Sequence, residues 1–263
     1  MIPKIIHYCW FGGKPLPEMA QKCIASWKKY CPDYEIKEWN ESNFDLNCCD
    51  YVREAYQAKK WAFVSDYARF WILYQYGGLY FDTDVEIIKD LSDIIAKGAF
   101  VCCESANTVN PGLGLGVNPG LGLYKEILDF YKTIHFVNQN GVYNEQTVVK
   151  YTTDIFLKHG FKAINRIQEV AGVYVYPTEF FCPLNYSTGK LTITSNTVAI
   201  HHYSASWHTK LDDIVVEIER CDLQKNRLEY RIRRLISFPF RAVNRIKKNG
   251  IRNTADHIIK KFT

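Results

Sequence analysis

The stretch from Arg53 to Ile88 constrains the fold more than any other part of the chain. Trp61, Val64, Ala68, Trp71, Ile72 and Gln75 recur at helical spacing, which predicts one helix over 53–76. Gly77-Gly78 supplies the left-handed stop that helices favour. An apolar run, Leu79-Tyr80-Phe81, follows at once and leads into Asp82-Thr83-Asp84. Read as one strand over 79–88, it points Leu79, Phe81, Thr83 and Val85 one way and Tyr80, Asp82, Asp84 and Glu86 the other.

The remaining chain keeps the same alternation. Ile2 to Phe11 reads as a buried strand closed by Gly12-Gly13, followed by a helix over 18–30 and a strand over 34–39. Residues 107–122 hold two NPGLG copies and read as a glycine-rich loop. Helices are expected over 121–135 and 144–159, and strands near 173–177 and 197–203. Strands alternating with helices predict an α/β fold with a largely parallel sheet. Ligands of such sheets sit beyond the carboxyl ends of the strands, which brings the ends of the first strand and of 79–88 to one crevice.

With 263 residues, 47% of them hydrophobic, the chain has enough material for one large folded domain. Its nine cysteines include no CxxC, so the usual zinc and thioredoxin spacings are absent. The opening MIPKIIHYCWFGG lacks a charged start followed by an apolar run, so no signal peptide is expected. No segment approaches the roughly 18 apolar residues of a membrane span. A reduced, cytoplasmic protein is the expectation.

The net charge of +5 is unevenly spread: 13 Lys/Arg and 5 Asp/Glu fall from Ile214 onward. Two parts are therefore expected, a catalytic domain over 1–213 and a basic helical extension over 214–263. In the extension, Leu228, Ile232, Leu235 and Ile236 stand at helical spacing with Arg227, Arg231, Arg233 and Arg234 around them. Basic amphipathic helices can lie in the headgroup region of anionic membranes, which suggests a peripheral location on the inner face. Nucleic-acid binding has only charge in its favour and no recognition motif, so it is not expected.

Two aspartates at i and i+2 present hard oxygen ligands of the kind Mg²⁺ or Mn²⁺ favours, with substrate phosphates completing the shell. A diphosphate leaving group needs that charge as its bond breaks. Alone, DxD is weak, and a solvated strand end explains it equally well. Asp66 and Arg69, three apart on one helical face, raise its weight. LYFDTDV also fits the opening of haloacid-dehalogenase-like phosphatases, but there the motif sits on the first strand, with an acidic pair on a later one. A catalytically silent carbohydrate- or nucleotide-binding protein is the non-enzyme alternative, and the presence together of Asp66, Arg69, Asp82, Asp84 and His201 argues against it.

The stretch FVSDYARFWILYQYGGLYFDTDVE resembles the DXD-containing sugar-binding region of family 32 glycosyltransferases. That family includes bacterial capsule and lipopolysaccharide transferases and the yeast initiating mannosyltransferase. A more distant likeness is to the glucosyltransferase domains of large clostridial cytotoxins. IPKIIHYCWFGG is similar to the family's first strand and HHYSASW to its closing motif, so the resemblance spans residues 2–207. It implies a GT-A fold, a nucleotide-sugar donor with UDP-hexoses first, a divalent cation, usually Mn²⁺, and a retaining mechanism. The acceptor implied is a glycan or lipid-linked glycan of a bacterial surface polysaccharide.

Carried over, Asp66 and Arg69 would hold the donor sugar and diphosphate region. Asp82 would contact ribose and sugar, and the metal through water, while Asp84 would bind the metal directly. Trp10 would stack on the base, and Tyr80 would join the donor site. Ser206 and Trp207 would close over the diphosphate as hydrogen-bond donors. His201 and His202 are both candidate metal ligands; extended, they point to opposite sides, and His201 better matches the family pattern. His7, inside an apolar strand, reads as a hydrogen-bonded core residue. Glu104 and Asn107 are weak candidates for an acceptor pocket, and Asn144 and Gln146 are accounted for by helix capping.

Overall fold

The computed structural model describes residues 1–204, 210–221 and 226–262. In chain order the elements are β1 (Ile5–Cys9), α1 (Glu18–Tyr30), β2 (Glu35–Trp39), α2 (Asp50–Gln57), α3 (Trp61–Tyr76), β3 (Gly78–Tyr80) and β4 (Val85–Ile87). Next come α4 (Ser92–Lys97), β5 (Phe100–Ser105), β6 (Thr108–Val117), α5 (Gly122–Tyr131), α6 (Val148–Lys158), β7 (Gln168–Val170) and β8 (Val173–Tyr176). The last are α7 (Thr178–Phe181), β9 (Ala199–His201), α8 (Lys210–Glu219) and α9 (Arg227–Phe262).

Seven strands form the central sheet in the order β2-β1-β3-β6-β5-β8-β7, and β4 pairs with β9 in a separate ribbon. β1 runs parallel to β2 and β3, and β5 parallel to β8, while β6 and β7 run against their neighbours. Five of the seven strands thus point the same way, the mostly parallel α/β sheet expected. Two apolar clusters cover the sheet. One contains Tyr51, Phe70, Tyr124 and Phe156; the other contains Trp27, Phe81, Phe100 and Phe181. Trp27, fully buried on α1, also donates its indole N–H to the Val85 carbonyl at 2.7 Å, tying α1 to β4.

Three expectations are corrected. The helix over 53–76 is two helices, α2 and α3, broken where Lys59 takes a left-handed φ of 57°. The strand over 79–88 is likewise two strands, β3 and β4, in different sheets, with Asp82-Thr83-Asp84 in the turn between them. The first NPGLG copy is no loop but the middle of β6, the longest strand described. Its glycines lie where side chains would collide: a Cβ on Gly114 would stand 3.0 Å from Phe81, and one on Gly116 2.1 Å from Phe100. Pro111 is accommodated where the β5–β6 register shifts. The second copy, at Asn118-Pro119-Gly120, does form a turn, with Gly120 at φ 81°.

The chain divides into two compact units, residues 1–184 with 192–204, and residues 185–191 with 205–263. The sequence-based boundary at 213 falls inside α8.

Candidate active site

The site begins with how α3 is handed to β3. Gly77 and Gly78 take φ of 63° and 96°, and a Cβ on Gly78 would meet the Ile5 carbonyl at 2.7 Å. Beneath them lies His7, fully buried on β1. Its Nε2–H donates to the Gly77 carbonyl at 3.0 Å, and its Nδ1 accepts the Trp39 indole N–H, also at 3.0 Å. Only the neutral ring satisfies both bonds, and burial lowers its pKa to about 4. His7 is a core residue, as its apolar strand implies.

β3 is hydrogen-bonded between β1 and β6, and at its carboxyl end the chain turns. The Asp82 N–H donates to the Gly112 carbonyl at 3.0 Å, and the Val85 N–H returns to the Asp82 carbonyl at 3.0 Å. The His202 N–H donates to the Asp84 carbonyl at 2.9 Å, extending the β4–β9 ribbon to the turn. A turn clamped at both ends, and not one strand face, therefore presents the two carboxylates.

Asp82 belongs to a buried charge cluster. Tyr80 donates its hydroxyl to Oδ1 at 3.0 Å, and Arg69 Nη2 lies 3.3 Å from the same oxygen. The same Nη2 is 3.0 Å from Asp66 Oδ1, and Arg69 Nε donates to the Ser65 carbonyl at 3.1 Å. The guanidinium also lies over the Tyr80 ring, 5.1 Å from its centroid. Spacing of three on α3 gives Asp66 and Arg69 a common face, and α3 is packed so that this face is buried. One arginine thus serves two carboxylates. Burial pushes Asp66 up to about 7 against the pull of Arg69, and raises Asp82 for the same reason.

Sequence reasoning missed the other wall of this cluster. A Cβ on Gly112 would stand 2.0 Å from Asp82 Oδ2, so β6 approaches the carboxylate at backbone distance. Asn110, two residues earlier and buried, accepts the Gly112 N–H at 2.8 Å and donates to Glu104 at 2.9 Å. The available signal was the alternation of Gly112, Gly114 and Gly116, which marks a strand under close contact. Asn107 is instead bonded to Ser105 in the β5–β6 turn.

Asp84 has different partners. His201 Nε2 lies 3.3 Å from its Oδ1, while Oδ2 accepts the Ser204 N–H at 2.9 Å and the Ser204 hydroxyl at 3.3 Å. Burial alone would lower the His201 pKa, but the adjacent carboxylate raises it to about 10. Burial raises Asp84, and His201 with Ser204 outweighs it, leaving the carboxyl below its usual range. The pair is an imidazolium–carboxylate contact that a divalent cation could replace, with release of the proton. Neighbouring ligands at about 2.1 Å on an octahedral ion stand about 3.0 Å apart, close to the spacing here. Among the described residues no third His, Cys, Asp or Glu joins them. Two protein ligands with phosphate and water completing the shell is the ordinary arrangement for Mg²⁺-like ions.

His202 has another partner: its Nε2 lies 2.7 Å from Glu86, which also takes Lys22 at 2.9 Å. Trp10 sits half-buried just beyond β1, its indole N–H on the Lys14 carbonyl at 2.5 Å. Asn144 bonds Tyr151 at 2.9 Å and the Gln146 N–H at 3.3 Å, ahead of α6. Ser206 and Trp207 lie outside the described residues. The DTD turn follows β3 and not the first strand, which sets the dehalogenase-like reading aside.

Comparison with known proteins gives an independent result. Residues 17–101 match the family described as the glycosyltransferase sugar-binding region containing DXD motif. An uncharacterized glycosyltransferase of Acanthamoeba polyphaga mimivirus is 27% identical over 228 residues, 82% of this chain and 89% of that one. Inositol phosphoceramide mannosyltransferase 3 of Schizosaccharomyces pombe is 33% identical over 108 residues, 38% of this chain and only 29% of its own length. Among solved structures, the PaToxG glycosyltransferase aligns with a TM-score of 0.48 and 20% identity, over 60% of this chain and 69% of that one. Residues 17–101, which carry Asp66, Arg69 and the Asp82-Thr83-Asp84 turn, thus match a DXD-containing sugar-binding region, and the chain is a glycosyltransferase.

Proposed function

We propose that this glycosyltransferase moves a hexose from a nucleotide-sugar, UDP-linked first, to a glycan or lipid-linked glycan acceptor of a bacterial surface polysaccharide. Mn²⁺ or Mg²⁺ is required, and the anomeric configuration is retained. The observation that carries the reading is the Asp84–His201 pair at 3.3 Å, held by Ser204 beside the Asp82–Arg69–Asp66 cluster. Asp84 and His201 would hold the cation, which offsets charge on the diphosphate as its bond to the sugar breaks. Arg69 keeps a positive charge beside Asp82 at the floor of the site, and Asp66 with Asp82 supplies acceptors for sugar and ribose hydroxyls. Trp10 offers an aromatic face to the base. The enzyme would work at the cytoplasmic face of a membrane, with its basic tail peripheral to the bilayer.

A donor panel tests this directly. With Mn²⁺, at least one UDP- or GDP-sugar should slowly release its nucleotide, and Asp84→Asn should abolish metal-dependent donor binding while the fold persists. A full panel without hydrolysis or binding would end the proposal. Unchanged activity in Asp84→Asn would remove that residue from its role.

A further inference from the structure

α9 packs against α8 with its polar side inward. Ser237 is fully buried and Asn244 nearly so, and the Ser237 hydroxyl donates to Glu219 of α8. Arg233 donates to the Ile218 carbonyl at 3.1 Å, and Arg241 lies 3.2 Å from Glu219. The apolar side faces outward instead: Leu228 is 68% exposed, Ile232 49%, Leu235 75% and Ile236 56%. Val243 and Ile246 continue the stripe at the same helical spacing and are also exposed. A helix of a water-soluble unit ordinarily turns that stripe toward its neighbour.

Beside the stripe runs a second one. Arg227, Arg231, Arg234 and Arg241 follow one another at spacings of four, three and seven, with exposed Phe238 among them. The one acidic residue of α9 between 227 and 246 is Glu229, which is held by Arg233 at 2.7 Å and Asn226 at 3.1 Å. On α8, Glu217 is paired with Arg220, and Glu219 with Ser237 and Arg241. Arg227, Arg231 and Arg234 have no carboxylate partner in the ion pairs of the described residues.

We infer that this two-stripe face of α9 is an interfacial surface for anionic phospholipid. Leu228, Ile232, Leu235 and Ile236 enter the headgroup–acyl boundary, while Arg227, Arg231 and Arg234 meet anionic headgroups. The inference rests on the peripheral location proposed above and assigns it to residues. A lipid surface fits better than a second copy of the chain. A two-fold contact through this face would bring arginine stripes together, whereas an anionic bilayer neutralises them. No described helix is long and apolar enough to cross a membrane, which suits a helix lying in the interface plane.

The test is co-sedimentation of the full chain with vesicles of phosphatidylcholine alone or mixed with phosphatidylglycerol. Binding is expected only to the anionic vesicles and should weaken in high salt. Leu228→Glu with Leu235→Glu should abolish it, and Arg231→Gln with Arg234→Gln should weaken it by about 25-fold, about five-fold per arginine. Nucleotide release from the donor should be unchanged in both variants. Failure to bind anionic vesicles, or equal binding to neutral ones, overturns the inference. So does a dimer in sedimentation velocity that Leu235→Glu dissociates while vesicle binding is absent. Those outcomes leave donor hydrolysis intact, whereas failure of the transferase reading would remove hydrolysis and leave vesicle binding.

Discussion

Arg69 reaches Asp82 across the glycine hand-off between α3 and β3, with Nη2 and Oδ1 3.3 Å apart, and the same nitrogen holds Asp66 at 3.0 Å. Geometry of this kind ties the integrity of the core to the proposed donor site, because a single buried cation is shared by two carboxylates from different elements.

Arg69→Met keeps most of the side-chain volume and removes the charge, leaving Asp66 and Asp82 facing each other in a buried site. Breaking a buried pair in this way typically costs about 3–5 kcal/mol. The urea midpoint should fall accordingly, and nucleotide release should be lost. Adding Asp66→Asn should recover part of the stability without recovering activity, since it removes one uncompensated carboxylate. An additive double mutant would show that the two do not act as a pair.

Gly112 and Gly120 make a contrasting pair within the two NPGLG copies. Alanine at 112 would put its Cβ 2.0 Å from Asp82 Oδ2, with no left-handed backbone to strain. Displacing that carboxylate should lower donor turnover by about 100-fold, as misplacement near 1 Å commonly does. Alanine at 120 meets nothing within 4 Å but must adopt φ 81°. It should cost about 1 kcal/mol in stability and leave turnover unchanged. Equal effects on turnover would contradict the contact at Asp82.

Much of this arrangement was readable from the chain because it is local. Helical spacing joins Asp66 to Arg69, and Gly77-Gly78 announces the change of direction into β3. What escaped the sequence depends on partners far along it. The break of 79–88 into two strands comes from β9, over 110 residues later, which captures Val85–Ile87 into a separate ribbon. The β6 strand was hidden because its glycines look like loop punctuation until Phe81, Phe100 and Phe181 are seen packed against them. Spacing alone likewise does not show that His201 faces Asp84 while His202 faces Glu86.

That difference predicts opposite outcomes for two neighbouring histidines. His201→Asn should weaken the Mn²⁺-dependent thermal shift, and the apparent Mn²⁺ affinity should fall by at least about 10-fold, the scale seen on losing groups around a metal. His202→Asn removes a half-buried contact to Glu86 and none to Asp84, so Mn²⁺ affinity should stay within about two-fold, as groups that share no side-chain partner couple weakly. Treatment with a chelator should stop nucleotide release in the wild type, and added Mn²⁺ should restore it. If His202→Asn were the variant that lost the metal response, the site would have to be rebuilt around Glu86.

His7 gives the fold a pH signature separate from catalysis. Its ring is satisfied only when neutral, donating to Gly77 and accepting from Trp39, and burial holds its folded pKa at about 4. In the unfolded chain a histidine titrates near 6.5, so below that value the unfolded state takes up the proton first. The contribution of His7 is therefore full above about pH 6.5, declines as pH falls toward about 4, and is level below that. The span corresponds to roughly 3 kcal/mol as an order of magnitude. His7→Gln can still donate to the Gly77 carbonyl but has no proton to gain. The stability gap between wild type and His7→Gln should therefore narrow between pH 6.5 and 4 in denaturant melts, while a constant gap would mean that His7 is not the titrating group.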